Sequence, residues 1–144
     1  MKFSVNQQDL QKSLGYCQGV IEKRSTLPIL SNVLLEINSG HLTITATDLD
    51  LIFIHKISNV EILEEGKTTT SSSIMYDIVR KISSGSKISF SNPSESKLQL
   101  ESEKSIFNLN CISASEFPLT DENFNQNEFS IKSKDLLKLL NKCK

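Results

Sequence analysis

Apolar and polar positions in this 144-residue chain repeat with two rhythms, period two and period three to four. Phe3 and Val5 alternate with polar neighbours, which predicts a strand over residues 2–5. Leu10, Leu14, Cys17 and Ile21 then fall four, three and four apart, the buried stripe of a helix. Asn6 caps that helix, with Asp9 three residues on as a capping-box partner, and Gly19 weakens its last turn. Pro28 rules out further helix and biases Leu27 to extended geometry. Residues 33–37, 41–47 and 51–57 read as three strands of an antiparallel meander, separated by the turns Asn38-Ser39-Gly40 and Asp48-Leu49-Asp50. In the second of them Leu42, Ile44 and Ala46 face inward and Thr43, Thr45 and Thr47 outward; the third is nearly continuously apolar and reads as covered on both faces. Residues 60–66 read as an acidic loop carrying Glu61, Glu64 and Glu65, and residues 67–70 as a Thr-rich strand. Ser71, Ser72 and Ser73 offer caps for a second helix with Ile74, Ile78 and Ile82 as its buried row, ended by Gly85. Residues 87–91, 97–101 and 105–111 are three more strands, the last with Phe107, Leu109 and Cys111 on one face.

The order is strand, helix, three strands, twice over. This predicts an α+β domain, internally duplicated, with two helices packed on two antiparallel sheets. The opening FSVNQQDLQKSL of residues 3–14 returns as FSIKSKDLLKLL at residues 129–140, and half of it recurs as DIVRKI at residues 77–82. In each copy a cation lies two residues past the first aliphatic, about 200° round the helix from it, so it points away from the core. An acid early and a cation late is also what the helix dipole favours, so chance amphipathic helices would look alike. The echo divides the chain into a first domain, residues 1–125, and the start of a second, residues 126–144, truncated after one strand and one helix capped by Ser133. Residues 113–127 are polar, with Phe117-Pro118 inside them, and read as the connection.

Charge narrows the functions. Sixteen basic and seventeen acidic residues leave a net charge of −1, which excludes a tight, charge-driven nucleic-acid binder; any basic surface must be local. Cys17, Cys111 and Cys143 are isolated and odd in number, as expected of free thiols in a reducing cytoplasm. Asp48 and Asp50 have the DxD spacing of some metal-dependent transferases, but a turn between strands accounts for them. His41 and His55 lie on strands with no Cys or carboxylate cluster beside them. No Walker, GxGxxG, GxSxG or HExxH pattern occurs, so neither a catalytic residue nor a metal or cofactor is expected. The organised signal is cationic: Lys12, Arg80 and Lys81 on outward helix faces, with Lys23 and Arg24 just after the first helix. If the helices pack side by side these gather on one surface and meet about two to four phosphates, weakly and without reading bases. The same charges read equally as solubilising ones.

The run RSTLPIL at residues 24–30, followed by TATDLD at residues 45–50, resembles the bacterial DNA polymerase III beta sliding clamp family; the opening MKF and SEFP at residues 115–118 fit as well. The resemblance implies a DNA-clamp fold, three similar domains per protomer, and two protomers closed head-to-tail around duplex DNA with helices lining the hole. It implies a processivity factor without enzymatic activity or cofactor, whose partners are duplex DNA of any sequence, a second protomer, and the polymerase and clamp loader through later domains. By the same resemblance Arg24 faces DNA and Arg80 lies on a hole-lining helix, with Lys12, Lys23 and Lys81 nearby. Lys97, Lys104, Ile106, Phe107 and Leu109 fall on the strands that meet the other protomer, Phe107 and Leu109 as the apolar centre and the lysines as the rim. Ser73 and Ile74 stand where relatives often carry a basic residue, Ile106 where a charge is common, and Ser25 where Pro is common. Two other readings remain at this point: a metal-dependent enzyme domain using Asp48 and Asp50, and a structural adaptor that never meets DNA.

Overall fold

The structure, a computed structural model, describes residues 1–21, 26–118 and 130–143. Strand β1 (Lys2–Asn6) leads into helix α1 (Gln7–Cys17). After the 3-10 turn Pro28–Ser31 come β2 (Asn32–Asn38), β3 (His41–Thr47), β4 (Ile52–Ile57), β5 (Val60–Glu64) and β6 (Gly66–Ser71). Helix α2 (Ser72–Val79) precedes β7 (Lys87–Ser94), β8 (Lys97–Ser102) and β9 (Ser105–Ile112), and α3 (Ser133–Lys142) follows. The class is α+β, with a large antiparallel sheet, as the alternating rhythms predict.

The two halves exchange their first strands. Strand order is β4-β3-β2-β6-β9-β8-β7-β1-β5, so β1 completes the sheet of the second half and β6 that of the first. The two expected sheets are joined into one of nine strands where Thr69 meets Ile112 and Thr70 meets Cys111. At this seam Thr69 Oγ1 donates to the Ile112 carbonyl at 2.7 Å and Thr70 Oγ1 to the Asn110 carbonyl at 3.0 Å, which satisfies two fully buried hydroxyls. Rows of apolar side chains run across the strands beneath the helices. One row passes from Ile62 through Phe3, Phe90 and Leu100 to Phe107, each opposite the next. Leu10, Leu14 and Cys17 of α1 close the core from above, as their spacing predicts, and Asn6 Oδ1 caps α1 by accepting from Gln8 N at 2.9 Å.

Several expectations give way to the tertiary structure. Residues 60–64 are strand β5, not a loop: Val60 and Ile62 pair with Val5 and Phe3, while Glu61 turns outward to an ion pair with Lys87 and Glu64 to one with the Met1 amine at 2.9 Å. The acids that suggested a loop are the solvent face of an edge strand, a common guard against edge pairing. Strand β4 is the opposite edge and is covered on one face only, so Ile54 stays half exposed. Thr47 is buried because its hydroxyl donates to the Leu51 carbonyl and accepts from Leu49 N within the turn; Thr45 is buried as well. In α2 the buried stripe is Ser72, Met75 and Val79, whereas Ile74 is 53% exposed and Ile78 and Ile82 are half buried. None of the Ser71 side-chain atoms bonds a helix N–H, and α2 ends at Val79, well before Gly85, whose φ of 82° serves the following loop. Helix α3 starts at Ser133 with Lys132 in the cap position, and residues 130–132 are not a strand; residues 119–129, with most of the expected connection, lie outside the described residues. Phe117 is buried.

In the β3–β4 turn Asp48 Oδ1 accepts from Asp50 N at 3.0 Å and Leu51 N at 2.7 Å, while Leu49 takes a φ of 84°. The carboxylate therefore organises the turn. Asp48→Ala leaves two amides without this partner and is expected to cost about 1–2 kcal/mol, measured by thermal unfolding.

Candidate nucleic-acid interface

Helices α1 and α2 lie side by side and antiparallel. Gln7, at the start of α1, donates through Nε2 to the carbonyl of Val79 at the end of α2, at 2.8 Å. Gln18, just past the end of α1, donates through Nε2 to Ser72 Oγ at the start of α2, at 2.8 Å. Midway, Gly15 faces Tyr76, whose ring would stand 3.7 Å from an added Cβ. Gln8 Nε2 reaches Ser84 Oγ at 2.6 Å and Gln7 N the Ser86 carbonyl at 2.9 Å, tying the start of α1 to the segment after α2.

Periodicity settles which residues this layer presents. Lys12 is two residues from both Leu10 and Leu14, and Asp77 two from both Met75 and Val79; all four apolar neighbours are buried. Two residues is about 200° of helix, so Lys12 and Asp77 are the outermost positions of their helices. Arg80 and Lys81 are exposed at the end of α2, and Arg80 Nε contacts Asp77 Oδ1 at 3.0 Å. The structure thus brings Arg80 and Lys81 together and sets Lys12 on the neighbouring helix of the same layer. Lys23 and Arg24 lie outside the described residues.

A second surface is the open side of β9. Residues 105–109 pair only with β8 among the described residues, which leaves the outward backbone groups of this stretch free, whereas the Asn110 carbonyl accepts from Thr70 Oγ1. Ile106 is 59% exposed and Phe107 half buried. Leu109 is only 6% exposed and stands opposite Leu98, so it braces β9 from within the core and the apolar surface falls to Ile106 and Phe107. Lys97 Nζ donates to Asn110 Oδ1 at 2.6 Å, and Lys104 is exposed in the β8–β9 turn. Between α2 and this hairpin runs a groove of about 360 Å³ walled by Ile74, Ile78, Ile82 and Phe107. The buried Ser102 hydroxyl at its edge has no hydrogen-bond partner among the described residues. Sequence reasoning saw the three isoleucines but assigned them to the core; their four-residue spacing was the signal for a second apolar stripe.

The remaining polar candidates have structural partners. One nitrogen of His41 bonds the Ser39 carbonyl at 2.8 Å, and His55 Nδ1 bonds Ser13 Oγ at 2.7 Å, its ring in a triangle with those of Tyr16 and Phe53. The Ser13 hydroxyl also donates to the Asp9 carbonyl, so His55 must be the donor in its own bond. Among the described residues no three His, Cys, Asp or Glu side chains come close enough to hold a metal ion.

Comparisons with known proteins fit this geometry. The beta sliding clamp of Caulobacter vibrioides (strain NA1000 / CB15N) is 32% identical over 145 residues, covering all of this chain and 39% of that protein. The beta sliding clamp of Escherichia coli K12 is 33% identical over 140 residues, covering 97% of this chain and 38% of that protein. Among solved structures, Caulobacter crescentus pol III beta superposes with a TM-score of 0.92 at 33% identity, over 99% of this chain and 38% of that one. The DNA polymerase III subunit beta from Pseudomonas aeruginosa also gives 0.92, at 30% identity, over 98% of this chain and 38% of that one. The chain therefore spans under two-fifths of the length of the relatives it matches. With residues 1–121 matching the family described as DNA polymerase III beta subunit, N-terminal domain, the chain belongs to the beta sliding clamp family.

Proposed function

We propose that this chain forms the first domain of a non-catalytic sliding clamp: a ring that encircles duplex DNA and, through further domains, tethers the replicative polymerase and meets the clamp loader. The observation that carries the reading is the antiparallel α1–α2 layer with Lys12 outermost on α1 and Arg80 and Lys81 at the end of α2. Such a layer offers a phosphate backbone a few scattered cations and no base-reading group, which suits a surface that touches DNA of any sequence and lets go. Net charge near zero agrees with that, since a strongly basic ring would stick. In the ring Lys12, Lys23, Arg24, Arg80 and Lys81 are the DNA-side cations.

Two of the open strand edges, β4 and β9, support closure. Strand β4 ends one side of the sheet, and the unpaired run of β9 lies in the other half of the domain. Unlike edges meeting head-to-tail generate a ring when the rotation closes. On the β9 side Ile106 and Phe107 supply apolar contact to a second protomer, Lys97 and Lys104 a charged rim, and Leu109 the support beneath.

The test is retention on primed circular DNA by the full-length protein carrying this chain. Charge reversal by Lys12→Glu together with Arg24→Glu is expected to shorten retention severalfold, more so at low salt. Retention unchanged at low salt would remove the DNA-facing role of the helix layer.

A further inference from the structure

Resting on that reading, we propose that Asp77 is an internal counter-ion that withholds Arg80 from the DNA phosphates and so loosens the clamp's grip. The two helices present opposite charges at their outermost positions. On α1 that position is Lys12, which makes no ion pair among the described residues. On α2 it is Asp77, one turn before Arg80 and joined to it at 3.0 Å. Both side chains are about half exposed, at 58% and 51%, so the pair adds little to folding and stands in the path of an approaching phosphate. With Nε taken by the carboxylate, a phosphate reaching Arg80 either meets the Nη groups alone or displaces one carboxylate oxygen, and in both cases bears the repulsion of the Asp77 charge. Fewer condensed counterions are then released from the DNA, and the contact is weaker and less salt-dependent than an open arginine would make. Among the described residues the layer therefore offers two open cations, Lys12 on α1 and Lys81 just past α2, and one masked cation, Arg80. Masking also accounts for how an arginine can sit on a sliding surface without anchoring it.

The experiment titrates the 144-residue chain with a short mixed-sequence DNA duplex, following amide chemical shifts over a series of salt concentrations. Asp77→Asn, Arg80→Gln, their double variant and Lys12→Gln are compared with the parent. Asp77→Asn is expected to bind about three- to tenfold tighter at the lowest salt and to steepen the log–log salt slope by about 0.9, one extra phosphate contact. Both gains are expected to vanish in the Arg80→Gln background. Binding unchanged by Asp77→Asn, with Lys12→Gln still weakening it, overturns the counter-ion and leaves the DNA-facing layer standing. A gain that survives in the double variant also overturns it, because Asp77 would then act by general repulsion and not through Arg80. If neither Lys12→Gln nor Arg80→Gln alters binding, the layer is not the DNA face and both readings fall. Thermal unfolding of each variant checks that folding is intact; exposed positions of this kind should move it little.

Discussion

Phe90→Ala is expected to lower the stability of this domain by about 3–5 kcal/mol, a large share of the roughly 5–15 kcal/mol that holds a typical domain together. Phe90 is 1% exposed and stacks on Phe3 with ring centroids 4.8 Å apart and planes within 7°. The two residues are direct cross-strand partners on β1 and β7, and Phe90 has Leu100 of β8 on its other side. Truncation therefore opens a hole in the middle of a continuous apolar row, where the sheet backbone cannot collapse to fill it. The consequence reaches beyond local packing. Strand β1 is the first strand of one half seated in the sheet of the other, so the Phe3–Phe90 stack is a principal clasp between the halves. Urea unfolding should show the midpoint falling sharply with an unchanged slope. Phe90→Leu, which keeps much of the volume, should lose far less. A loss below about 1 kcal/mol for the alanine variant would contradict the assignment of this stack as the centre of the core.

The second large effect is on pH. Cys17 is fully buried, and burial pushes its thiol up from 9.0 to about 12, against a smaller opposing effect of its backbone hydrogen bond. In the unfolded chain the thiol ionises near its ordinary value, while in the folded chain it keeps its proton until far higher pH. Above about pH 9 the unfolded state therefore binds fewer protons than the native one, and stability falls as pH rises, by up to about 1.4 kcal/mol per unit. The loss runs through the window from 9 to about 12, and below 9 the contribution is fully present. Burial also raises Cys111, against the hydrogen bond to Thr68 and the charge of Lys97, so it acts in the same direction. Cys17→Ala should be less stable at neutral pH but show a flatter alkaline decline when urea midpoints are compared over this range. Other groups titrate alike in both proteins, so the difference in slope isolates Cys17. Parallel declines would mean that the Cys17 thiol is not held protonated by burial.

Much of the fold and part of the candidate site were legible along the chain. The spacing of Leu10, Leu14 and Cys17 identified the buried face of α1, and residues 41–47 matched the span of β3 and its inward Leu42, Ile44 and Ala46, although Thr45 and Thr47 are buried as well. Period alone also showed that Lys12 must point outward, because a helix turns by a fixed angle per residue. These are local properties: each depends on neighbours within a few positions, which the sequence lists in order.

Other features depend on partners far away in the chain. Glu61 and Glu64 made β5 look like a loop until Val5 and Phe3 supplied its inner face. Helix α2 carries two stripes that could be buried, and only the core beneath it and Gln18 of the neighbouring helix end select Ser72, Met75 and Val79 over the three isoleucines. Leu109 and Ile106 are both apolar residues of β9, yet one completes the core and the other is left to solvent, according to which face of the sheet each occupies. The ion pair of Asp77 and Arg80 was latent in their three-residue spacing, but its place on a shared surface follows from the antiparallel docking of α1 and α2. Sequence by itself determined the elements and their amphipathic faces, because steric and helical periods act locally. Tertiary structure alone decided the exchange of β1 and β6, the open edges and the common face of the two helices, because those depend on pairing energies summed over strands distant in the chain.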